Sequence, residues 1–555
     1  MAIKQIRQFL QQNNYEAYLV SHGNRFLGQD ILPDEHKLQH LCGFSGSDGL
    51  LIITLKNCYL LVDGRYELQA AAEVDPAKIT IVKQNPTLIN ALALCVQNNI
   101  TQVAYDAWCW SAQDITDIAA QYPTLKLIDT GDLVQIDNPA PIKIDERLLC
   151  YAGQSREEKL ALITTYLKQQ QADFLLLTAA DSVSWLLNIY AHDLPYTPVV
   201  RAYALIDRTG HFNLFADNLQ TALPHQTIAE LLNFLQNNDN QKIICDAQTT
   251  PQKLYLANLQ NKPDVCQSLK AIKNEIEQTG MINCHIRDGV ALTKLLIWLE
   301  KNWRGQTELD VVQKLHELRT TQPLFYSESF ATIAASASNG AIVHYQPNKN
   351  TNRLLAENQL LLLDSGAQYL DGTTDVTRTL ILGQPNKQQK EHFTAVLKAH
   401  IALADTVFSP QMSGLELDTI ARQPLLTKNM DYKHGTGHGV ACFGNVHEGP
   451  ISISPRGTAR FSAGMVTSIE PGFYLENTYG IRIENLYLTQ TAGQNRLSFL
   501  ALTKVPIDKK LIAAYMLSAD EQKWLNKYHE CVYKSLVKYM TEEEKQWLEK
   551  ACSPL

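Results

Sequence analysis

Apolar positions along the chain change their period in blocks, and those changes mark out the elements. The first block opens with Ile3, Ile6, Phe9 and Leu10 at helical spacing, then moves to the unbroken run Ala17-Tyr18-Leu19-Val20, which predicts a buried strand. Gly43-Phe44-Ser45-Gly46-Ser47-Asp48-Gly49 reads as a glycine-punctuated turn into a strand over 50–54, with a hairpin partner over 59–63. Asp63-Gly64-Arg65-Tyr66 closes that strand and begins a helix, and Asn138-Pro139-Ala140-Pro141 predicts an exit linker. The second block repeats the plan. Ser155 ahead of Glu157 and Glu158 predicts a helix ending near Gln171. A buried strand over 174–178, a short helix over 184–187 and a strand pair over 203–207 and 212–217 follow. Strand, helical connection and a hairpin ending in Asp recur in the same order, so two copies of one α/β module are expected.

From Ala271 the pattern changes again. Two helices over 274–302 and 307–320 precede a strand-rich half, and the segment 519–550 places Leu525, Tyr528, Val532, Leu536 and Tyr539 on one helical face. That face predicts packing against its own domain, with a subunit contact as the sharper alternative. The expected organisation is one α/β module over 1–140, a second over 150–270, a third domain of mixed α+β character over 271–510 and a helical extension over 511–555.

Composition narrows the class. The 555 residues are 45% apolar and 19% charged, ordinary for a folded chain. Lys and Arg total 49 against 57 Asp and Glu, a net charge of -8 that lacks the basic footprint of a nucleic-acid binder. Apolar runs such as 50–55 and 360–363 stop at Lys56 and Asp364, far short of the ~18 residues of a membrane span. The amino terminus shows no hydrophobic signal core, and the eleven cysteines are scattered without a CxxC pair, so reduced thiols are expected. A soluble, cytoplasmic protein with neither a nucleic-acid nor a membrane partner is the expectation.

The third block holds the candidate chemistry. The strand Leu360-Leu361-Leu362-Leu363 ends in Asp364, a turn-rich stretch follows, and Asp375 opens the next strand; the eleven-residue separation lets a hairpin bring both carboxylates to one end. The strand over 465–469 runs into Glu470, Pro471-Gly472 turns the chain, and a strand over 480–484 places Arg482 and Glu484 on one face. Taken singly, Asp364 is a strand-end turn residue, Asp375 a turn cap, Glu484 an ion partner of Arg482 and His438 a hydrogen-bonded loop imidazole. Together, four carboxylates in one place repel one another unless cations join them. His434-Gly435-Thr436-Gly437-His438-Gly439 supplies an imidazole among glycines that permit close backbone approach. Four carboxylates and one histidine suit hard or borderline ions such as Mn²⁺, Co²⁺ or Zn²⁺, and are about right for two ions roughly 3.5–4 Å apart.

These motifs carry a resemblance. Asn339-Gly340-Ala341-Ile342-Val343-His344, Asp364-Ser365-Gly366, Asp371-Gly372-Thr373-Thr374-Asp375-Val376-Thr377-Arg378, the glycine-flanked histidines, Asn445-Val446-His447-Glu448-Gly449-Pro450, Ser468-Ile469-Glu470-Pro471-Gly472 and Gly480-Ile481-Arg482-Ile483-Glu484-Asn485 resemble, in order and spacing, the pita-bread metallopeptidases. Within that family they are most similar to the three-domain Xaa-Pro aminopeptidases. Gly43 to Gly49 with Asp63-Gly64-Arg65-Tyr66, and Asp193-Leu194-Pro195-Tyr196-Thr197-Pro198-Val199, extend the likeness to two creatinase-type amino-terminal modules.

The resemblance implies a metal-dependent exopeptidase that removes the first residue from peptides with proline second. Asp364, Asp375, His438, Glu470 and Glu484 would hold two divalent ions, usually manganese, with Asp375 and Glu484 bridging. His344, His434 and His447 would line the substrate cleft, and Arg482 would orient Glu484. Arg65 would reach the peptide, or else be a salt-bridged surface arginine. Glu470 would hold the proton of a metal-activated hydroxide, while His344 or His447 would stabilise the oxyanion. A homodimer is the family expectation. The alternatives are a prolidase restricted to dipeptides, a metal-free creatine hydrolase, and a non-catalytic peptide- or histone-binding module.

Overall fold

The computed structural model describes residues 2–28, 30–134 and 141–555. The predicted linker residues Asn138, Pro139 and Ala140 lie outside the described residues. Two compact units form, one of Met1–Leu149, Gln154–Leu194 and Pro198–Cys266, the other of Cys150–Gly153, Pro195–Thr197 and Gln267–Leu555.

The first unit contains two six-stranded sheets with the same topology. In one, Ala17–Ser21 is central, antiparallel to Leu50–Thr54 and parallel to Gln102–Tyr105. Cys58–Val62 pairs antiparallel with Leu50–Thr54, as the hairpin pattern predicts, and Thr80–Lys83 and Lys126–Asp129 close the edges in parallel. In the other, Phe174–Leu177 takes the central place, antiparallel to Tyr203–Asp207 and parallel to Ile243–Cys245. Phe212–Phe215 pairs antiparallel with Tyr203–Asp207, and parallel edge strands complete the copy. The coarse sequence repeat is therefore a repeat of strand order and direction. The copies are joined within the unit by Gln113 N–H donating to Ala247 O at 2.9 Å and by the Arg201–Glu35 ion pair at 3.2 Å.

The second unit begins with helix Glu275–Asn302, capped by the Asn274 side chain, and helix Glu308–Thr320, capped by Thr307. The strand Gln359–Ser365 is the middle of a three-stranded antiparallel sheet with Ile333–Ser336 and Val376–Leu382. It is apolar on both faces because both are covered: Leu361 and Leu363 pack with Leu292, Leu295, Leu299 and Leu315, whereas Leu360 packs with Phe393, Leu397, Ile481 and Ile483. A five-stranded antiparallel sheet holds Gly437–Gly439, Glu448–Ile453, Val466–Ile469, Asn485–Thr491 and Leu497–Ala501.

The carboxy-terminal segment is not one helix. It forms Ala519–Leu536, a short 3-10 turn Val537–Tyr539, and Glu542–Cys552. Leu525, Tyr528, Val532 and Leu536 pack into the unit's own core, but Tyr539 lies past the helix end and is 48% exposed. Among the described residues no helix is long and apolar enough to cross a membrane.

Candidate metal centre

Asp364 is the penultimate residue of its strand, in register with Thr377, and Asp375 immediately precedes the partner strand. The reversal between them is not a simple turn. Ala367–Tyr369 and Gly372–Thr373 pair antiparallel and form a smaller hairpin nested in the larger one. Glu470 and Glu484 sit where the chain changes partners: Ile469 pairs with Asn485 in the five-stranded sheet, while Gly472 pairs with Arg482 in a separate hairpin. The expected strand over 480–484 therefore ends at Arg482, and Glu484 occupies the step between two pairings rather than a strand interior. His438 is the centre of Gly437–Gly439. A Cβ at Gly437 would lie 2.0 Å from the Ser468 carbonyl oxygen and one at Gly439 2.3 Å from that of Glu448, so only glycine lets the neighbouring strands close on the imidazole.

The folded chain draws these groups together. His438 Nε2 lies 3.2 Å from Glu470 Oε1 and 3.6 Å from Asp375 Oδ2. Ligand atoms of Asp375, His438 and Glu484 all fall within 4.8 Å of one another. His438 Nδ1–H donates to Gly439 O at 3.0 Å, which turns Nε2 toward the acids. Thr377 Oγ1 donates to Glu484 Oε2 at 2.9 Å, and Ser468 Oγ to Glu470 Oε1 at 3.1 Å. Arg482, 1% exposed, donates from Nη2 to Asp364 Oδ2 at 2.6 Å and from Nη1 to Tyr474 Oη at 2.5 Å.

One guanidinium and one imidazole do not neutralise four carboxylates. Burial, then repulsion from Asp364 and Glu470, pushes Asp375 well above the carboxylate range; burial, then Asp375, Glu470 and Asp364, does the same to Glu484. Burial also raises Asp364, against the pull of Arg482. Glu470 goes the other way: burial opposes its charge, yet the hydrogen bond and charge of His438 hold it down at about 2. The same pair lifts His438 to about 9 despite burial. Asp364 Oδ1 and Glu484 Oε1 are buried with no hydrogen-bond partner among the described residues. Buried carboxylates with bare lone pairs, crowded with other acids and an imidazole, form a donor set that fits divalent cations.

The other predicted residues divide. His434 Nε2 meets Tyr474 Oη at 2.8 Å, and burial drops its pKa to about 4. His447 lies edge-on to His438, with ring centroids 4.3 Å apart. His344 follows Val343, whose carbonyl accepts from Arg482 Nη2 at 3.4 Å. Arg65 belongs to the first unit, where it pairs with Asp63 at 2.6 Å and Asp48 at 2.8 Å; the Asp at the glycine turn is thus its ion partner. Tyr474, which joins His434 to Arg482, carries no motif of its own, and Thr377, which holds Glu484, lies within the Asp371-to-Arg378 motif, which assigns it no role. Thr377 was accessible through alternation, since Asp375, Thr377 and Thr379 face one way and Thr379 Oγ1 donates to Arg482 O at 3.0 Å.

Residues 279–491 match metallopeptidase family M24, residues 3–136 and 140–277 the creatinase/prolidase N-terminal domain, and residues 495–555 the C-terminal region of M24 peptidases. A probable Xaa-Pro aminopeptidase P of Laccaria bicolor is 33% identical over 100% of this chain and 93% of its own length. Xaa-Pro aminopeptidase 1 of Dictyostelium discoideum is 33% identical over 100% and 96%. The crystal structure of X-prolyl aminopeptidase from Caenorhabditis elegans, described as a cytosolic enzyme with a di-nuclear active site, superposes with a TM-score of 0.92 at 31% identity, covering 98% of this chain and 95% of that one. The prolidase of Pyrococcus horikoshii shares the fold over 63% of this chain and 99% of its own, with a TM-score of 0.51 at 24% identity.

Proposed function

The chain belongs to metallopeptidase family M24, and from that premise we propose that it is an Xaa-Pro aminopeptidase, releasing the amino-terminal residue from peptides whose second residue is proline. The observation that carries the reading is the cluster of four acids and one imidazole with bare carboxylate oxygens, set in a chain related over its whole length to such enzymes.

Asp364, Asp375, His438, Glu470 and Glu484 would hold two divalent cations, with manganese as the metal. When bound, the cations supply Lewis acidity toward the scissile carbonyl and make water a nucleophile near neutral pH. Glu470 would receive the proton of the attacking water and pass it to the departing amine. His447, beside His438, and His344 would donate to the developing oxyanion. Tyr474 links His434 to Arg482 and Arg482 to Asp364, so the cleft imidazole and the metal-binding acid share one rigid connection. The free amine of the substrate, drawn to the carboxylates, sets the cut after the first residue. A bond before proline has no N–H to offer and a fixed φ, so the enzyme needs shape rather than a hydrogen bond at that position. A cytoplasmic homodimer completes the proposal.

Reconstitution with Mn²⁺, Co²⁺ or Zn²⁺ tests it. Arg-Pro-Pro-type peptides should lose their first residue, and proline-free controls should not. Turnover of Xaa-Pro dipeptides alone would make the protein a prolidase, and no turnover with any metal would defeat the catalytic reading. Light scattering of the intact chain decides the dimer.

A further inference from the structure

Arg378 is 2% exposed, yet among the described residues none of its hydrogen-bond acceptors is a carboxylate. Nε donates to Pro506 O at 3.1 Å, and Nη1 to Thr377 O at 2.9 Å and Glu484 O at 2.6 Å. Nη2 is shared among Asn485 Oδ1, Val505 O and Tyr528 Oη at 2.8, 2.8 and 2.7 Å. A buried guanidinium held only by neutral dipoles takes its orientation from all of them together. Five of the six acceptors come from the strands and the segment around the centre. The sixth, Tyr528, is on helix Ala519–Leu536 of the carboxy-terminal extension.

The route from that helix to Glu484 is continuous. The Tyr528 hydroxyl accepts from Arg378 Nη2 and donates to Val505 O at 2.8 Å. Arg378 fixes the carbonyl of Glu484; Thr377 takes its N–H at 3.1 Å and bonds its Oε2. Both ends of Glu484 are thus held by residues 377 and 378, and among the described residues Oε1 has no partner. The Tyr528 ring stacks on Trp524 at 5.7 Å and sits in the apolar core, a task phenylalanine would perform equally. Only the hydroxyl reaches Arg378.

We propose that Tyr528 is a positioning residue through which the carboxy-terminal extension, by way of Arg378, sets the Glu484 segment in the geometry that binds metal. This rests on the reading of Glu484 as a ligand. The test is Tyr528→Phe, with Glu484→Gln as control, titrated with Co²⁺ by calorimetry and by the visible absorption of the bound ion. Tyr528→Phe should bind about tenfold more weakly, as loss of an outer support does, with kcat lowered, KM near wild type and the unfolding midpoint of the chelated protein little changed. Glu484→Gln should lose an ion. If Glu484→Gln loses its ion while Tyr528→Phe binds as tightly as wild type, this proposal fails and the ligand reading stands. If Glu484→Gln keeps both ions, both fail. Should Tyr528→Phe not fold, the unaltered protein decides: coupling is reciprocal, so Co²⁺ loading should slow amide exchange across residues 519–536 several-fold. Equal exchange with and without the ion would overturn the proposal.

Discussion

Two of the places where the second unit buries carboxylates treat them oppositely. Glu308, 0% exposed, accepts from Ser336 N at 2.6 Å, Ser336 Oγ at 2.9 Å, Asn339 Nδ2 at 3.0 Å, Tyr345 Oη at 2.8 Å and Arg353 N at 3.1 Å. Neutral donors crowd both of its oxygens. Asp375 and Glu484 are buried as deeply, at 4% and 1%, but face other acids, and Glu484 keeps one oxygen bare. The first arrangement ties a loop to a helix start. The second crowds acids against one another, an arrangement that a bound cation would relieve. Burial of an acid therefore does not mark function; an unmet lone pair beside like charge does.

The sharpest way to break that comparison is to neutralise one acid on each side. Asp375→Asn should cut peptide turnover by at least about 10⁴-fold, ~5.5 kcal/mol of barrier, while the melting temperature of the chelated protein stays level or rises because repulsion is relieved. Steady-state kinetics paired with thermal unfolding read both effects, and retained turnover would defeat the proposed centre. Glu308→Gln should do the reverse, destabilising the fold by about 2–4 kcal/mol by setting an NH₂ against a ring of donors. Urea unfolding should show that loss equally with metal and with chelator; a loss confined to the loaded protein would place Glu308 in the centre.

Metal itself should sharpen the contrast at smaller scale. An ion at a hundred times its dissociation constant should stabilise the wild-type fold by about 2.7 kcal/mol and Glu308→Gln by the same amount, but Asp375→Asn much less. Differential scanning calorimetry across an ion titration measures this. The most gradual effect, spread over pH, concerns a third way of burying an ionisable group, by keeping it neutral. His285 is 2% exposed, donates from Nδ1 to Met281 O at 2.6 Å, and is pushed down by burial to about 4. The unfolded chain, with an ordinary histidine near 6.5, binds more protons between those values. Its contribution is therefore whole above pH 6.5 and lost as pH falls toward 4, at up to ~1.4 kcal/mol per pH unit. His285→Gln should flatten the stability slope between pH 6 and 5 by one proton; an unchanged slope would show that His285 titrates normally in the fold.

Much of this was legible in the residue order. The paired hairpin blocks gave matching sheets because apolar runs and turn signals are local. Ser155 announced its helix because a cap acts on its own first turn. The acids and His438 stood out as motifs because glycines and strand ends flank them. The misreadings share one cause. Glu484 was placed inside a strand that ends at Arg482, and the carboxy-terminal face was carried past Leu536, because changes of pairing partner and helix breaks depend on what packs alongside.

Residue types, spacing and period determined by themselves which elements form and which side chains could bind metal, since those follow from sterics and chemistry within a few residues. Only the tertiary structure decided which buried carboxylates are saturated and which are left bare. It alone made Asp48 the partner of Arg65 and brought Tyr474 between His434 and Arg482. It also carried Tyr528 to Arg378, 150 residues away. Desolvation and hydrogen-bond satisfaction depend on every neighbour in space, and chain order does not list those neighbours.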